Sequence, residues 1–109
     1  MSTELPVLPE LRVDLRAPDV HDAVYVAAIC ADPTRAAILA LLRDGPHCVC
    51  EMAAALGERQ NNVSNHLARL REAGFVRASH HRVDARWVYY ERDEAACAAA
   101  GRAIGELLG

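Results

Sequence analysis

The sequence contains no lysine, and all 12 of its basic side chains are arginine. Aromatic residues make up only 5% of the chain, and no apolar run reaches the roughly 18 residues that a transmembrane helix requires. The first twenty residues have neither the basic segment nor the apolar segment of a secretory signal peptide. These absences favour a cytoplasmic protein without a membrane partner.

Cysteine is also scarce, with four residues in 109. Thiols stay reduced in the cytoplasm, so they are more often free, metal-binding or redox-active there than bridged. Two of the four, Cys48 and Cys50, are separated by a single residue in the stretch "HCVCEM". This close pair is the strongest sign of chemistry in the chain.

The net charge of −3 conceals an uneven distribution. Residues 1–56 hold four arginines against eight acidic residues, residues 57–92 hold seven against four, and residues 93–109 hold one against three. DNA affinity depends on local neutralisation of phosphates, so the basic central segment permits DNA binding in an acidic protein. An unevenly charged but merely solvated surface explains the same distribution.

The first half of the chain shows clear signals for where helices begin and end. Residues 1–18 contain three prolines without regular periodicity and predict an extended arm, followed by a single domain over residues 19–109. Asp19 opens a first predicted helix, which runs to Cys30. A second helix has Asp32 as its N-cap and proline at its first position, and a glycine closes it.

The second half predicts a helix-turn-helix, a hairpin and a last helix. The stretch "CVCEMAAALG" is a short helix, and "ERQNNVSNHLARLREAG" is a longer one buried through Val63, Leu67 and Leu70. The segments "FVRAS" and "RWVYYE" are rich in strand-forming residues and flank a polar tip. The fold class is therefore mainly α with a small two-stranded β-wing, a winged helix-turn-helix in the order α-α-α-α-β-β-α. The final helix has so little polar surface that burial in a homodimer is expected.

The longer helix and the hairpin tip carry the side chains that DNA recognition requires. Asn and Gln pair with adenine edges, Arg pairs with guanine, and Ser and the first amides of a helix suit phosphates. The candidate DNA-binding residues are Arg59, Gln60, Asn61, Asn62, Ser64, Asn65, His66, Arg69, His80, His81, Arg82 and Arg86. The three histidines in this set are expected to face solvent. A polar face on a surface helix is the alternative, and the order of elements favours DNA.

Four segments together resemble the ArsR/SmtB family of metal-responsive bacterial repressors, over roughly residues 22–105. They are "ADPTRAAILALL", "CVCEMAAALG", "NNVSNHLARLREAGFV" and "RWVYYE". The segment "VSNHLARLREAGFV" is similar to the recognition helix of that family, and "CVCE" is similar to its metal-binding motif. The resemblance implies a homodimer that represses an operator in double-stranded DNA, and the operator is expected to be an inverted repeat. It also implies release when an inducer binds, with efflux or detoxification genes under control.

The two close cysteines flank the predicted start of the third helix. Exposed amides at a helix N-terminus lower the pKa of a thiol, and thiolates bind soft ions such as As(III), Cd(II), Pb(II) and Zn(II). Positions i and i+2 of a regular helix lie about 200° apart, so both sulfurs reach one ion only if Cys48 precedes the helix in extended backbone. Gly45 and Pro46 favour such an extended segment.

Two thiolates do not complete the coordination shell of these ions. In the arsenic-sensing branch of the resembled family a third cysteine follows three residues after the second, where this chain has Ala53. In the cadmium and lead branch, the N-terminal arm of the other subunit supplies further cysteines. This chain has no cysteine before Cys30, and His21 is its comparable donor. The remaining possible donors are His47, Cys30 and Cys97. Core packing is the favoured role of Cys30, while packing, ligation and redox roles stay open for Cys97.

The predicted function is a DNA-binding transcriptional repressor that releases its operator when a thiophilic metal or metalloid ion binds, without an organic cofactor. The first alternative keeps the fold and makes the cysteines a redox switch. The second is a winged-helix module that binds other proteins. An enzyme is not expected, because the sequence offers no Ser/His/Asp set and no glycine-rich phosphate loop.

Overall fold

Helices dominate the computed structural model, which describes residues 18–80 and 88–109. In chain order the elements are α1 (Pro18–Cys30), α2 (Pro33–Leu41), a 3-10 turn (Leu42–Asp44), β1 (His47–Cys48), α3 (Val49–Leu56), α4 (Gln60–Glu72), β2 (Val76–His80), β3 (Val88–Arg92) and α5 (Glu94–Leu108). The predicted succession of four helices, a hairpin and a last helix is confirmed. The predicted arm lies outside the described residues except for Pro18, which begins α1.

The ends of α2 and α3 follow the local signals in the sequence. Asp32 caps α2, since its Oδ1 accepts hydrogen bonds from the backbone N–H groups of Thr34 at 2.9 Å and Arg35 at 3.0 Å. Gly57 ends α3 with a φ of 65°, a left-handed conformation that favours glycine. The chain then turns directly into α4, so the third and fourth helices form the predicted helix-turn-helix.

The sheet has one strand more than the sequence predicts. Strands β2 and β3 pair in an antiparallel hairpin, from Val76 opposite Arg92 to His80 opposite Val88. The short β1 adds to the other edge of β3, with Cys48 opposite Tyr89, to give the strand order β1-β3-β2. A two-residue strand has no alternation of side chains to recognise in the sequence, which is why it was not predicted.

The core lies between α4 and the helices before it. The predicted buried residues of α4, Val63, Leu67 and Leu70, are each fully buried. They pack with Ile38 of α2 and Met52 of α3 in one cluster. This core fixes α4 by one face and leaves its opposite face exposed.

Helix α5 packs beside α1, and both leave apolar surface exposed. No residue of α5 is buried within the single chain. Val24, Tyr25, Leu107 and Leu108 are 59%, 47%, 52% and 79% exposed. Among the described residues, the large exposed apolar side chains all lie on these two helices.

In residues 18–80 and 88–109 no single helix has the length and apolar character to cross a membrane. Only Val20–Cys30 and Pro33–Asp44 taken together meet those two criteria, and they are bent by 89° at the break between them.

Candidate thiol site and DNA-facing helix

Cys48 lies where strand β1 becomes helix α3. It is the last residue of β1 and the N-cap of α3, with φ −84° and ψ 165°. Its backbone is therefore extended, as a shared site with Cys50 requires. The two sulfurs converge, with Cys48 Sγ 2.7 Å from Cys50 Sγ. Cys48 is buried and Cys50 is half-buried, so the pair lies just below the surface.

Glu51 holds this junction together. Its Oε1 accepts a hydrogen bond from the backbone N–H of Cys48 at 3.1 Å, while its backbone N–H faces the Cys48 sulfur in a capping box. Its Oε2 lies 3.4 Å from Nδ1 of His47. The hydrogen bond from the Cys48 N–H is the main reason that the pKa of Glu51 is lowered. The carboxylate is therefore ionised beside the two thiols.

The pKa of Cys48 is raised to about 11. Burial is the largest cause, followed by the hydrogen bond with Cys50, and the negative charge of Glu51 adds to both. The expectation that the helix N-terminus lowers the pKa of this thiol is therefore wrong, because burial outweighs the helix amides. A soft ion that binds here must displace a proton from Cys48.

Within the two described stretches of the chain, no three His, Cys, Asp or Glu side chains are grouped so that they could hold a metal ion. His47 is engaged by Glu51, and His21 lies at the exposed surface of α1, with its Nδ1 3.6 Å from Asp22 Oδ1. The donor chemistry of Cys48 and Cys50 is of the kind that suits a soft ion, and two sulfurs alone would not complete its coordination shell.

Tyr89 is a neighbour of the thiol pair that the sequence did not indicate. It lies opposite Cys48 in the β1–β3 pairing. Burial raises the pKa of its hydroxyl, and the charges of Glu51, Cys48 and Cys50 raise it further. The wing strand β3 is thus in electrostatic contact with the thiols. A longer β1 would have revealed this pairing, but two residues leave no pattern in the sequence.

The other two cysteines lie along a pocket between α1 and α5. Its volume is about 340 Å³, and Cys30 and Cys97 both line it, together with Val26 and Phe75. Cys30 is exposed, so the prediction that it packs in the core is wrong; as the last residue of α1 it lies beyond the buried Ile29. Burial raises the pKa of Cys97, whose Sγ lies 3.9 Å from the carbonyl oxygen of Phe75. All four cysteines are free thiols.

Most of the predicted DNA-binding residues of α4 lie on its exposed face. Those exposed are Arg59, Gln60, Asn61, Ser64, Asn65 and Arg69. Asn62 is half-buried, and its Nδ2 donates a hydrogen bond to Glu58 Oε2 at 2.9 Å. His81, Arg82 and Arg86 lie outside the described residues, as does the side chain of His80.

The expectation that His66 faces solvent is wrong. Its side chain is 19% exposed, and its ring lies against Arg35 and Asp32 rather than on the polar face of α4. Position 66 follows Val63 by three residues and precedes Leu70 by four, which places it at the edge of the buried face. The sequence offered this signal in the spacing of the apolar residues.

Comparison with known proteins assigns this arrangement to a family. A family model described as a bacterial regulatory protein of the arsR family matches residues 32–78. The chain is 39% identical over 84 residues to the arsenical resistance operon repressor of Escherichia coli, an alignment that covers 76% of this chain and 69% of the repressor. The chain belongs to the ArsR family. Membership in a family of regulatory proteins confirms the prediction that it is not an enzyme.

Two further relatives support the assignment. The chain is 48% identical over 61 residues to the arsenic resistance transcriptional regulator ArsR1 of Pseudomonas putida, which covers 55% of this chain and 45% of that regulator. It therefore spans about half the length of that relative. A solved structure described as a possible transcriptional regulator for arsenical resistance matches with a TM-score of 0.67 and 28% identity, covering 75% of this chain and 82% of the other. This match confirms the winged-helix fold class.

Proposed function

We propose that this ArsR-family protein is a DNA-binding transcriptional repressor that leaves its operator when a thiophilic metal or metalloid ion binds to Cys48 and Cys50. The observation on which the proposal depends is the convergence of the two sulfurs, 2.7 Å apart, where β1 becomes α3. Helix α3 is the first helix of the helix-turn-helix. A ligand at this junction therefore acts directly on the DNA-binding motif.

The exposed face of α4 supports a role in reading DNA. Gln60, Asn61 and Asn65 offer amide groups that match adenine edges, and Arg59 and Arg69 add positive charge at either end of the polar face. The opposite face is fixed in the core by three fully buried side chains. This combination of an anchored face and an open polar face is what a recognition helix in the major groove requires.

The protein acts in our proposal as a homodimer. The exposed apolar side chains of α1 and α5 form a surface that a second copy would cover. Two copies related by a two-fold axis present two α4 helices, which favours an operator that is an inverted repeat in double-stranded DNA. Because the thiols must stay reduced to bind an ion, we place this activity in the cytoplasm.

Cys48 and Cys50 would hold the ion as thiolates, which supply strong soft-ligand bonds to As(III), Cd(II), Pb(II) or Zn(II). The name of the Escherichia coli relative refers to arsenical resistance, which makes As(III) the first ion to test. The missing donors would come from His47, His21, Cys30 or Cys97, in the same chain or in the second copy. No organic cofactor is needed.

The position of Cys48 explains how its side chain is coupled to the DNA-binding surface. Cys48 pairs with Tyr89 of the wing and caps α3 at the same time. A displacement of Cys48 therefore disturbs both the wing strand and the first helix of the motif. A coupling free energy of about 1–3 kcal/mol between ion and operator is typical of such systems and changes operator occupancy substantially.

The test is operator affinity under reducing conditions, measured by fluorescence anisotropy on a duplex selected in vitro with the wild-type protein. Arsenite, Cd(II), Pb(II) and Zn(II) are added in separate titrations. We expect at least one of them to weaken binding by about tenfold or more. Cys48→Ser and Cys50→Ser should each abolish that response. As a control, each variant without ion should bind the operator within about threefold of wild type, which would show that the DNA-binding motif is intact.

Three outcomes would contradict the proposal. Full release by the ion in both serine variants would place the sensor elsewhere. Release by oxidant alone would support the redox switch instead. No binding to any DNA would favour a module that binds proteins.

A further inference from the structure

His66 is a predicted DNA contact on α4 whose ring the structure turns toward α2. Its Nδ1 lies 3.3 Å from Nη1 of Arg35, and its Nε2 lies 3.8 Å from Oδ1 of Asp32. Asp32 and Arg35 belong to the start of α2, whereas His66 lies in the middle of α4. The ring therefore bridges the recognition helix and the corner between α1 and α2.

Arg35 extends this bridge to the end of α1. Its Nε donates to the carbonyl oxygen of Ile29 at 2.6 Å, and its Nη2 donates to that of Ala28 at 3.3 Å. The last carbonyl groups of a helix have no partner within the helix, so these bonds satisfy two of them. A single guanidinium thus joins the C-terminal end of α1 to α4.

The contacts define the proton on His66. A guanidinium only donates hydrogen bonds, so Nδ1 must be the acceptor and the ring must carry its proton on Nε2, facing Asp32. Asp32 stays ionised at neutral pH, because the backbone hydrogen bond from Arg35 lowers the pKa of its carboxyl and outweighs the opposing effect of burial. The neutral ring then accepts a hydrogen bond from Arg35 on one side and directs its N–H toward Asp32, 3.8 Å away, on the other.

We propose that Asp32, Arg35 and His66 form a clamp that sets the position of α4 against the α1–α2 corner, with His66 as a positioning residue for DNA recognition. This inference rests on the proposed DNA-binding function. The charged groups in contact with the ring are Arg35 and Asp32. A side chain without an acceptor at position 66 loses the hydrogen bond from Arg35, so the clamp then opens on the α1 side.

The first measurement uses the free protein. Long-range proton–nitrogen NMR spectra at about pH 7.5 report which ring nitrogen of His66 carries the proton, and we expect Nε2. A proton on Nδ1 would overturn the clamp. This result does not depend on DNA, so it tests the clamp even if the proposed function fails.

The second measurement compares wild type with His66→Gln and His66→Ala. Glutamine keeps one acceptor for Arg35 and one donor for Asp32, whereas alanine offers neither. At about pH 7.5 we expect His66→Gln to keep operator affinity within about threefold of wild type and His66→Ala to lose about tenfold. Equal affinities for the glutamine and alanine variants would show that the polar groups of this ring do not act on α4.

The third measurement uses a variant of Arg35, which removes the contacts of the guanidinium with α1 and His66. At about pH 7.5 Arg35→Gln should weaken operator binding by about tenfold, because α4 loses its link to α1. Arg43→Gln is the matched control, since Arg43 is exposed in the 3-10 turn and makes none of these contacts. Equal affinities for the two variants would contradict the proposal. If Arg35→Gln fails to fold, the comparison with His66→Gln decides alone.

Discussion

The two pairs of cysteines in this chain differ in what brings them together. Cys48 and Cys50 are two residues apart, and a change from strand to helix between them points both sulfurs to one place. Cys30 and Cys97 come from α1 and α5 and meet only as wall residues of one pocket. The first pair is organised by local backbone geometry, whereas the second depends on how two helices pack. A ligand that needs preorganised sulfurs should therefore prefer the first pair.

The pairs also differ in their surroundings. A carboxylate and a tyrosine lie next to Cys48, and the hydrogen bonds of Glu51 fix its backbone. Cys97 lies against Arg92 and one backbone carbonyl beside apolar side chains, and Cys30 is open to solvent. The first pair thus has neighbours that respond to a change of charge, and these neighbours belong to the DNA-binding motif. The second pair lies on the surface where we expect the second copy.

The largest predicted effect is a difference in arsenite affinity between variants of the two cysteine pairs. The double variant Cys48→Ser/Cys50→Ser should bind arsenite at least about 100-fold more weakly than wild type, since loss of groups that only support metal ligands already costs 10–100-fold. The double variant Cys30→Ser/Cys97→Ser should lose less than about tenfold, because its residues supply at most the remaining donors. Competition with a chromophoric dithiol measures both affinities.

Circular dichroism of both double variants provides the control, since each must keep the helical content of wild type. The reverse order of affinities would mean that the α1–α5 pocket is the sensor. It would also mean that the close pair serves only to form the capping box.

The second prediction concerns a variant in which a third cysteine is introduced close to Cys48 and Cys50. Ala53 lies one helical turn after Cys50 and is 5% exposed, within the core cluster. Ala53→Cys should strengthen arsenite binding by about tenfold or more, because three sulfurs replace two. Overpacking of the core costs about 1–3 kcal/mol of stability, so urea unfolding is measured alongside. An unchanged affinity in a folded Ala53→Cys variant would show that Cys50 and residue 53 cannot reach a common ion.

Local sequence patterns predict some features of the two regions and leave others open. The caps of α2 and α3, the buried face of α4 and the importance of Cys48 and Cys50 follow from local patterns, because a helix turn or a cap involves residues within four positions. The pairing of Cys48 with Tyr89 spans 41 positions of sequence and depends on a two-residue strand. The inward turn of His66 and the exposure of Cys30 depend on where helices meet. Such contacts are set by tertiary packing, which one sequence does not reveal.

The smallest predicted effect concerns the charge next to Cys48. The carboxylate of Glu51 raises the pKa of Cys48 by repelling the thiolate, so Glu51→Gln should lower that pKa from about 11. The thiolate fraction at a fixed pH below 9 then rises, and alkylation of Cys48 by iodoacetamide becomes faster, by about threefold for half a pKa unit. Because the pKa of Glu51 is itself lowered, its charge is constant above about pH 6 and the rate ratio should not vary with pH there.

Mass spectrometry of the alkylated protein follows each cysteine separately, and Glu72→Gln, a change at the exposed end of α4, is the matched control. The variant also weakens the capping box, because an amide oxygen accepts less strongly than a carboxylate, so a faster reaction has two physical explanations. If the pH midpoint of alkylation falls for Cys48 and for no other cysteine, the lost charge of Glu51 is the cause. An unchanged midpoint with a faster rate at every pH identifies greater exposure of the sulfur instead. In that case Glu51 acts on the thiol pair through the backbone of the β1–α3 junction, and its charge has no part in setting the reactivity of Cys48.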